Sequence, residues 1–474
     1  VSDLLPHQER GATLALDHLD QYGGHLMAWG MGAMKTATAL EVVRRLGAER
    51  ILVIGPKGAL DPGIDFRGRP LNVWQRDAHF VYGGDAPSVL NLGAGSTAKK
   101  VEAMRTYREG IVTINWQSFW REPLLTELRK VKWDVVVGDE VHRAKSARGA
   151  ASKAVARIPA PARLGLSGTP LQHDPLDAWA IFRFLAPQIF PRTLTQMRAR
   201  YTRPALRSEW RDPDILITTG RGREILRWKL DHMDELAQKI GLITHVVRTE
   251  DVVDLPEFSD VEIAVDLEPA AMKVYRAIKE DMVAQVSQGV ITAANAAVAT
   301  LRLQQVTGGA VYEEDDMGMR TGRVIHVSDA KRQALADWLE DAVEPVVVFA
   351  RFHTDLDAVH AAAKANGRTS YELSGRRTEL AEWNASEAGV LAVQVQSGGE
   401  GIDLTKARLC VYFSLDYNWA LWMQSRARVL RPGQTRNVQY VSFVCRGTVD
   451  EHVFKALTAR GEVIGAILEH LRDP

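Results

Sequence analysis

Short apolar runs recur at residues 51–54, 111–114, 135–137, 346–349 and 409–413, rich in Val and Ile and bounded by charged or turn-forming positions. Runs this brief, without polar alternation, predict strands buried on both faces, as in a parallel sheet covered by helices. They fall into two sets, one before about residue 185 and one after about residue 342. Between them, residues 269–306 hold no such run, are rich in Ala, Met, Leu, Lys and Gln, and contain one Gly, which predicts helices. The expected fold class is α/β, two tandem lobes with helical insertions between them. The boundaries expected are 1–188, 189–327 and 328–474.

Length agrees with more than one core, since 474 residues at roughly 150 per domain make two or three units. With 46% hydrophobic and 25% charged residues, the chain is neither disordered nor fibrous in character. The 59 basic and 59 acidic side chains balance. That leaves a polyanionic partner undecided, because attraction depends on where the charges sit. Cys410 lies in the apolar run 409–413 and Cys445 is the only other cysteine, so buried reduced thiols are expected and a cysteine-rich zinc site is not. No basic leader opens the sequence and no window approaches the roughly 20 apolar residues of a membrane span. The expected setting is a cytoplasm or a nucleus, away from membranes.

Candidate chemistry begins at residues 25–36, where an apolar run passes through Gly30 and Gly32 to Lys35-Thr36 and then a helix-prone stretch. This is the layout of a phosphate cradle: backbone N–H groups face the anion, Lys35 reaches the β- and γ-phosphates, and the Thr36 hydroxyl holds Mg²⁺. The bland alternative is a glycine turn between strand and helix. Met34 stands where the usual pattern has Gly; its Cβ would cost about 1–3 kcal/mol if the backbone stays left-handed there. The strand 135–137 leads into Asp139-Glu140, one carboxylate suited to Mg²⁺ (Asp139) and its neighbour to the attacking water (Glu140). The roughly 100 residues from Lys35 are what a parallel sheet needs to bring both strand ends to one edge.

With Asp139-Glu140-Val141-His142, Leu166-Ser167-Gly168-Thr169-Pro170 and Gln424-Ser425-Arg426-Ala427-Arg428-Val429-Leu430-Arg431-Pro432-Gly433-Gln434 in order, the chain resembles the superfamily-two helicases. Within them it is similar to the Swi/Snf-like (DEAH-type) double-stranded DNA translocases. The resemblance spans Leu5 to about Phe454 and is loose over 191–328. It implies RecA-like lobes, ATP and Mg²⁺ as cofactors, and a monomeric motor on double-stranded or branched DNA with no protein partner indicated. It implies further that Gln8 reads adenine, and that Lys57, Thr113 and Asn115 contact one nucleic-acid strand. Ser397, Gly399, Gly401 and Asp403 belong to a loop that touches nucleic acid and nucleotide, Ser397 meeting the nucleic acid and the other three the nucleotide. Arg428 and Arg431 reach the γ-phosphate from an arginine-finger helix, and Arg351 is a further backbone contact. Asp403 replaces the Asn of many members. No chromatin-reading module, zinc-finger insert or nuclease motif accompanies the motor.

Residues 191–228 carry nine arginines, from Arg192 to Arg227, with Tyr201, Trp210 and Trp228 interleaved and Glu209, Asp212, Asp214 and Glu224 diluting them. Phosphate tracking and a solvated surface are both open. An RNA-directed helicase and a nucleic-acid-binding module with a degenerate ATPase are the alternatives to a DNA translocase. A bacterial or phage origin is expected by analogy with the family.

Overall fold

The computed structural model describes residues 4–60, 63–64, 70–146, 149–168, 176–206, 215–219, 225–287, 293–314, 320–396 and 402–470. They divide into two compact units, one from residues up to 206 together with 228–254, the other centred on 255–462.

The large sheet of the first unit has seven strands: β1 (Gly24–Trp29), β2 (Arg50–Gly55), β3 (Val89–Asn91), β4 (Gly110–Asn115), β5 (Val135–Asp139), β6 (Ala162–Ser167) and β7 (Thr244–Val247). Their order across the sheet is β7-β1-β6-β5-β2-β4-β3, and every pairing is parallel. Six strands build the large sheet of the second unit: β8 (Phe258–Val265), β9 (Val346–Ala350), β10 (Ser370–Leu373), β11 (Val390–Gln394), β12 (Leu409–Tyr412) and β13 (Val438–Cys445). They run β8-β13-β12-β9-β11-β10, again all parallel.

The expected α/β class holds, and its cause is visible in β9. Val346, Val348 and Ala350 pack with Val390, Ala392 and Val411 on one face. Val347 and Phe349 pack with Leu391, Val393 and Tyr412 on the other. Successive side chains point to opposite faces, so a strand with a core on both sides must be apolar at every position. All five apolar runs lie in strands, and residues 269–306 form the helices Pro269–Ser287 and Ala293–Gly308. In the first unit, Met27, Trp29, Val53 and Val137 meet Ala12, Ala15 and Leu19 of α1 (Pro6–Tyr22) and Leu40 and Val43 of α2 (Lys35–Arg45).

Two strands come from residues read as linking sequence. Thr244–Val247 pairs with β1 and closes one edge of the first sheet, and Phe258–Val265 pairs with β13 at an edge of the second. The latter is largely exposed, so its composition alternates and gives no continuous run. Among the described residues no helix is long and apolar enough to cross a membrane. Cys410 and Cys445 are buried free thiols; burial pushes Cys445 up to about 12 and Cys410 upward as well.

Candidate functional site

β1 ends at Trp29, and the loop that follows turns back into α2 at Lys35. Gly32 takes φ 82° and Met34 φ 58°, ψ 39°. The backbone at Met34 is thus the left-handed one expected for a Gly, held by a residue for which it costs about 1–3 kcal/mol; the Met34 side chain stays exposed. Lys35 Nζ turns back and donates to the carbonyls of Trp29 (2.9 Å) and Gly30 (3.0 Å). Burial lowers its pKa, while the charges of Glu140 and Asp139 act in the opposite sense. Thr36 follows as the second residue of α2.

The carboxylates reach Lys35 because only one strand separates β1 from β5. That strand, β6, ends in Ser167-Gly168, and a Cβ on Gly168 would lie 4.0 Å from Lys35 Nζ. Trp116 Nε1 donates to the Asp139 carbonyl at 2.7 Å and fixes the strand end. Glu140 is left-handed too, at φ 50°. Its Oε2 lies 3.1 Å from His142 Nδ1, but the imidazole's hydrogen bond goes to Ser167 Oγ at 3.1 Å. Glu140 Oε2 is therefore a buried oxygen without a hydrogen-bond partner. Burial works to raise the Glu140 carboxyl; His142 and then Lys35 more than offset this, and it lies below its ordinary range. A buried carboxylate, an ammonium turned onto backbone carbonyls and a helix N-terminus fit a magnesium nucleoside triphosphate, and Thr36 and Asp139 are the side chains there that could hold the ion through oxygen.

Other predicted residues sit less openly. Gln8 is 1% exposed; its Oε1 accepts from Leu5 N (3.0 Å) and its Nε2 donates to Thr38 Oγ1 (3.3 Å). The amide expected to read adenine thus ties α1 to α2. Thr113 is fully buried, its hydroxyl donating to Asn91 Oδ1 at 3.2 Å, and Asn115 Nδ2 donates to the Gly93 carbonyl at 2.8 Å. Both side chains are closed off from solvent, and Asn115 Oδ1 is left without a hydrogen bond. Lys57, by contrast, is exposed in the first turn after β2.

In the second unit the helix α3 (Trp419–Arg426) ends before both predicted fingers. Arg428 and Arg431 lie in the turn that follows, not in a helix. Arg431 Nη1 donates to the Ile402 carbonyl (3.1 Å) and Leu404 N to that of Arg428 (3.0 Å). Gln434 Nε2 donates to the carbonyls of Thr405 (3.0 Å) and Ala407 (2.9 Å), and its Oε1 accepts from the backbone of Thr435 and Arg436. Gln434 is recognisable in the motif, yet its work as a staple between the arginine turn and residues 402–407 is legible only in the structure. Arg426 is absorbed by Asp260 and by the Tyr440 ring, 3.8 Å beneath its guanidinium.

Asp403 Oδ1 accepts from Thr405 N (2.9 Å) and Oγ1 (2.7 Å), an acceptor role that an Asn would also fill. Ser397, Gly399 and Gly401 lie outside the described residues. Arg351 is held by Asp416 at 3.4 Å and by Gln304. Of the arginine-rich stretch, Arg192, Arg198, Arg200 and Arg203 are described, and Arg200 pairs with Glu235. Arg227 falls within a strand, while Arg207, Arg211, Arg221 and Arg223 are outside the described residues.

Comparison with known proteins joins these parts. Residues 88–307 match the model of the SNF2-related domain, 330–433 that of the helicase conserved C-terminal domain, and 3–172 that of the type III restriction enzyme res subunit. The ISWI chromatin-remodeling complex ATPase ISW1 of Saccharomyces cerevisiae is 23% identical over 96% of this chain, which spans only 40% of that protein's length. Protein p41 of Acyrthosiphon pisum secondary endosymbiont phage 1 is 24% identical, covering 80% of this chain and 81% of its own. Among solved structures, the Sulfolobus solfataricus SWI2/SNF2 ATPase core in complex with dsDNA aligns over 98% of this chain and 93% of its own, with 19% identity and a TM-score of 0.42.

Proposed function

Since the chain belongs to the SNF2-related ATP-dependent helicases, we propose that it is an ATP-driven motor that moves along double-stranded or branched DNA. The observation that carries this reading is the meeting of Lys35, Asp139 and Glu140 at one sheet edge, with the Glu140 carboxylate buried beside His142 and held below its ordinary range. Lys35 exchanges the Trp29 and Gly30 carbonyls for phosphate oxygens. Thr36 and Asp139 hold Mg²⁺, which when bound draws off charge from the phosphates. Glu140, kept ionised, orients water and takes its proton. Arg428 and Arg431 supply positive charge to the transition state as the lobes close, and their release on opening is coupled to movement. The phage relative favours a bacterial or phage setting, in a cytoplasm.

The test is ATP hydrolysis with and without duplex DNA, single-stranded DNA and RNA, beside Lys35→Ala and Glu140→Gln. Stimulation by duplex together with triplex displacement supports the translocase. Stimulation by RNA alone would transfer the motor to RNA. A rate that no polymer raises and neither substitution lowers would leave a nucleic-acid-binding module with a degenerate ATPase, the reading that the left-handed Met34 favours.

A further inference from the structure

The stretch that follows β7 touches the phosphate loop in a way that nucleotide binding does not require. Gly30 N donates to the Val247 carbonyl at 2.7 Å, and two residues later Thr249 Oγ1 donates to the carbonyl of Met31 at 2.8 Å. The approach is so close that a Cβ on Gly30 would fall 2.2 Å from Thr249 Oγ1 and 2.8 Å from Thr249 N. Gly30 is therefore required by Thr249 as much as by any phosphate. Past Thr249, Asp251 and Val252 line a cavity of about 390 Å³ together with Pro6, His7 and Arg10, and His7 Nε2 lies 3.3 Å from the Ala33 carbonyl in the same loop. The chain then leaves the first compact unit at Asp254 and enters the second at Leu255.

We propose that Thr249 is a positioning residue that couples occupancy of the phosphate loop to the segment 249–255 joining the two units. The proposal rests on the nucleotide-binding reading of the loop. Lys35 grips the loop from inside through the Trp29 and Gly30 carbonyls, and Thr249 grips it from outside through Met31. When Lys35 turns to a phosphate, its hold on those carbonyls ends and the loop settles on the anion. Met31 moves with it, and the Thr249 hydroxyl carries that displacement into the joining segment. A conformational signal needs such a differential contact between states.

The experiment compares the full-length wild type with Thr249→Val, which keeps the shape and removes the hydroxyl, and Thr249→Ser, which restores it. Amide hydrogen exchange is followed with and without the magnesium complex of AMP-PNP, a non-hydrolysable ATP analogue, beside its affinity by titration. In wild type and Thr249→Ser the analogue slows exchange across 249–260 by about fivefold, the scale of one hydrogen bond. In Thr249→Val it protects residues 30–36 as before but leaves 249–260 unprotected. A residue with only a structural role would alter exchange equally in both states. Equal nucleotide-dependent protection of 249–260 in Thr249→Val and wild type overturns the coupling while leaving the nucleotide site intact. Failure of the wild type to bind the analogue overturns the nucleotide reading and the coupling with it. Should Thr249→Val lose cooperative melting, Thr249→Ala removes the same hydroxyl and is held to the same outcomes.

Discussion

In the first unit the loop carrying Lys35 holds Met34 left-handed, and the strand end beside it does the same to Glu140. In the second, the turn carrying Arg428 and Arg431 places its left-handed conformation on Gly433, and Gln434 staples it to residues 402–407. Both regions carry basic residues that the proposed function assigns to phosphate. One is strained and gripped from outside; the other is relaxed and tied down by its own motif. Strain at a site persists only where the surroundings over-determine it, as Lys35 and Thr249 do around the phosphate loop, while the arginine turn puts its positive φ on a glycine and needs no such restraint. The loop is held by contacts from outside its own motif, and the turn by contacts from within it.

The largest test of that contrast is Arg428→Ala or Arg431→Ala, expected to lower kcat for ATP by about a thousandfold or more with the melting temperature nearly unchanged for Arg431. Steady-state phosphate release checks it, and a loss confined to KM would count against a transition-state role. Glu140→Gln should lower kcat by about a hundredfold or more while nucleotide affinity, read by titration, is retained. Gln434→Ala leaves the carbonyls of Thr405 and Ala407 without their donor. It should destabilise the second unit by about 2 kcal/mol in denaturant melts and lower kcat by roughly tenfold through the misplaced turn.

Acidity separates the two units further. Burial raises the Asp355 carboxyl to about 6, so the folded state holds this proton more tightly than the unfolded chain. Its contribution is complete below about pH 4 and is lost as pH rises through about 6. Asp355→Asn should therefore stabilise the second unit by about 2 kcal/mol at pH 7.5 and hardly at pH 4, as melting curves at the two values will show. His245 has the opposite sign: burial lowers it to about 4, and its contribution, present above about pH 6.5, is lost as pH falls towards 4. The smallest expected effect is that of Met34→Gly, a gain of about 1 kcal/mol in thermal melts. If the strain slows hydrolysis, phosphate release quickens as well.

How much of this the sequence carried differs by kind of feature. The apolar runs were legible because a strand covered on both faces has no polar position, and β9 shows that alternation directly. The strain at Met34 was legible because a loop pattern dictates a backbone conformation independent of the residue filling it. β7 was not legible: its four residues include His245, whose Nδ1 accepts from Trp29 Nε1, 216 positions away. The inward turn of Thr113 and the staple made by Gln434 share that cause. Motif matching says that a residue recurs, and only its partners say whether it faces a ligand or holds a neighbour. Four of the nine arginines of the arginine-rich stretch lie outside the described residues, and phosphate contact there is a proposal for a salt-dependence measurement on DNA binding.

The position of β7 also decides how this chain can be divided. It covers the side of β1 away from β6, so a first lobe cut after residue 206 would bare four paired positions of an apolar strand edge next to the loop that carries Lys35. Such an edge recruits strands from other molecules. A fragment ending at 206 is expected to aggregate, and one that retains 228–254 to remain dispersed, which makes the last stretch before the crossover the seal of the first lobe.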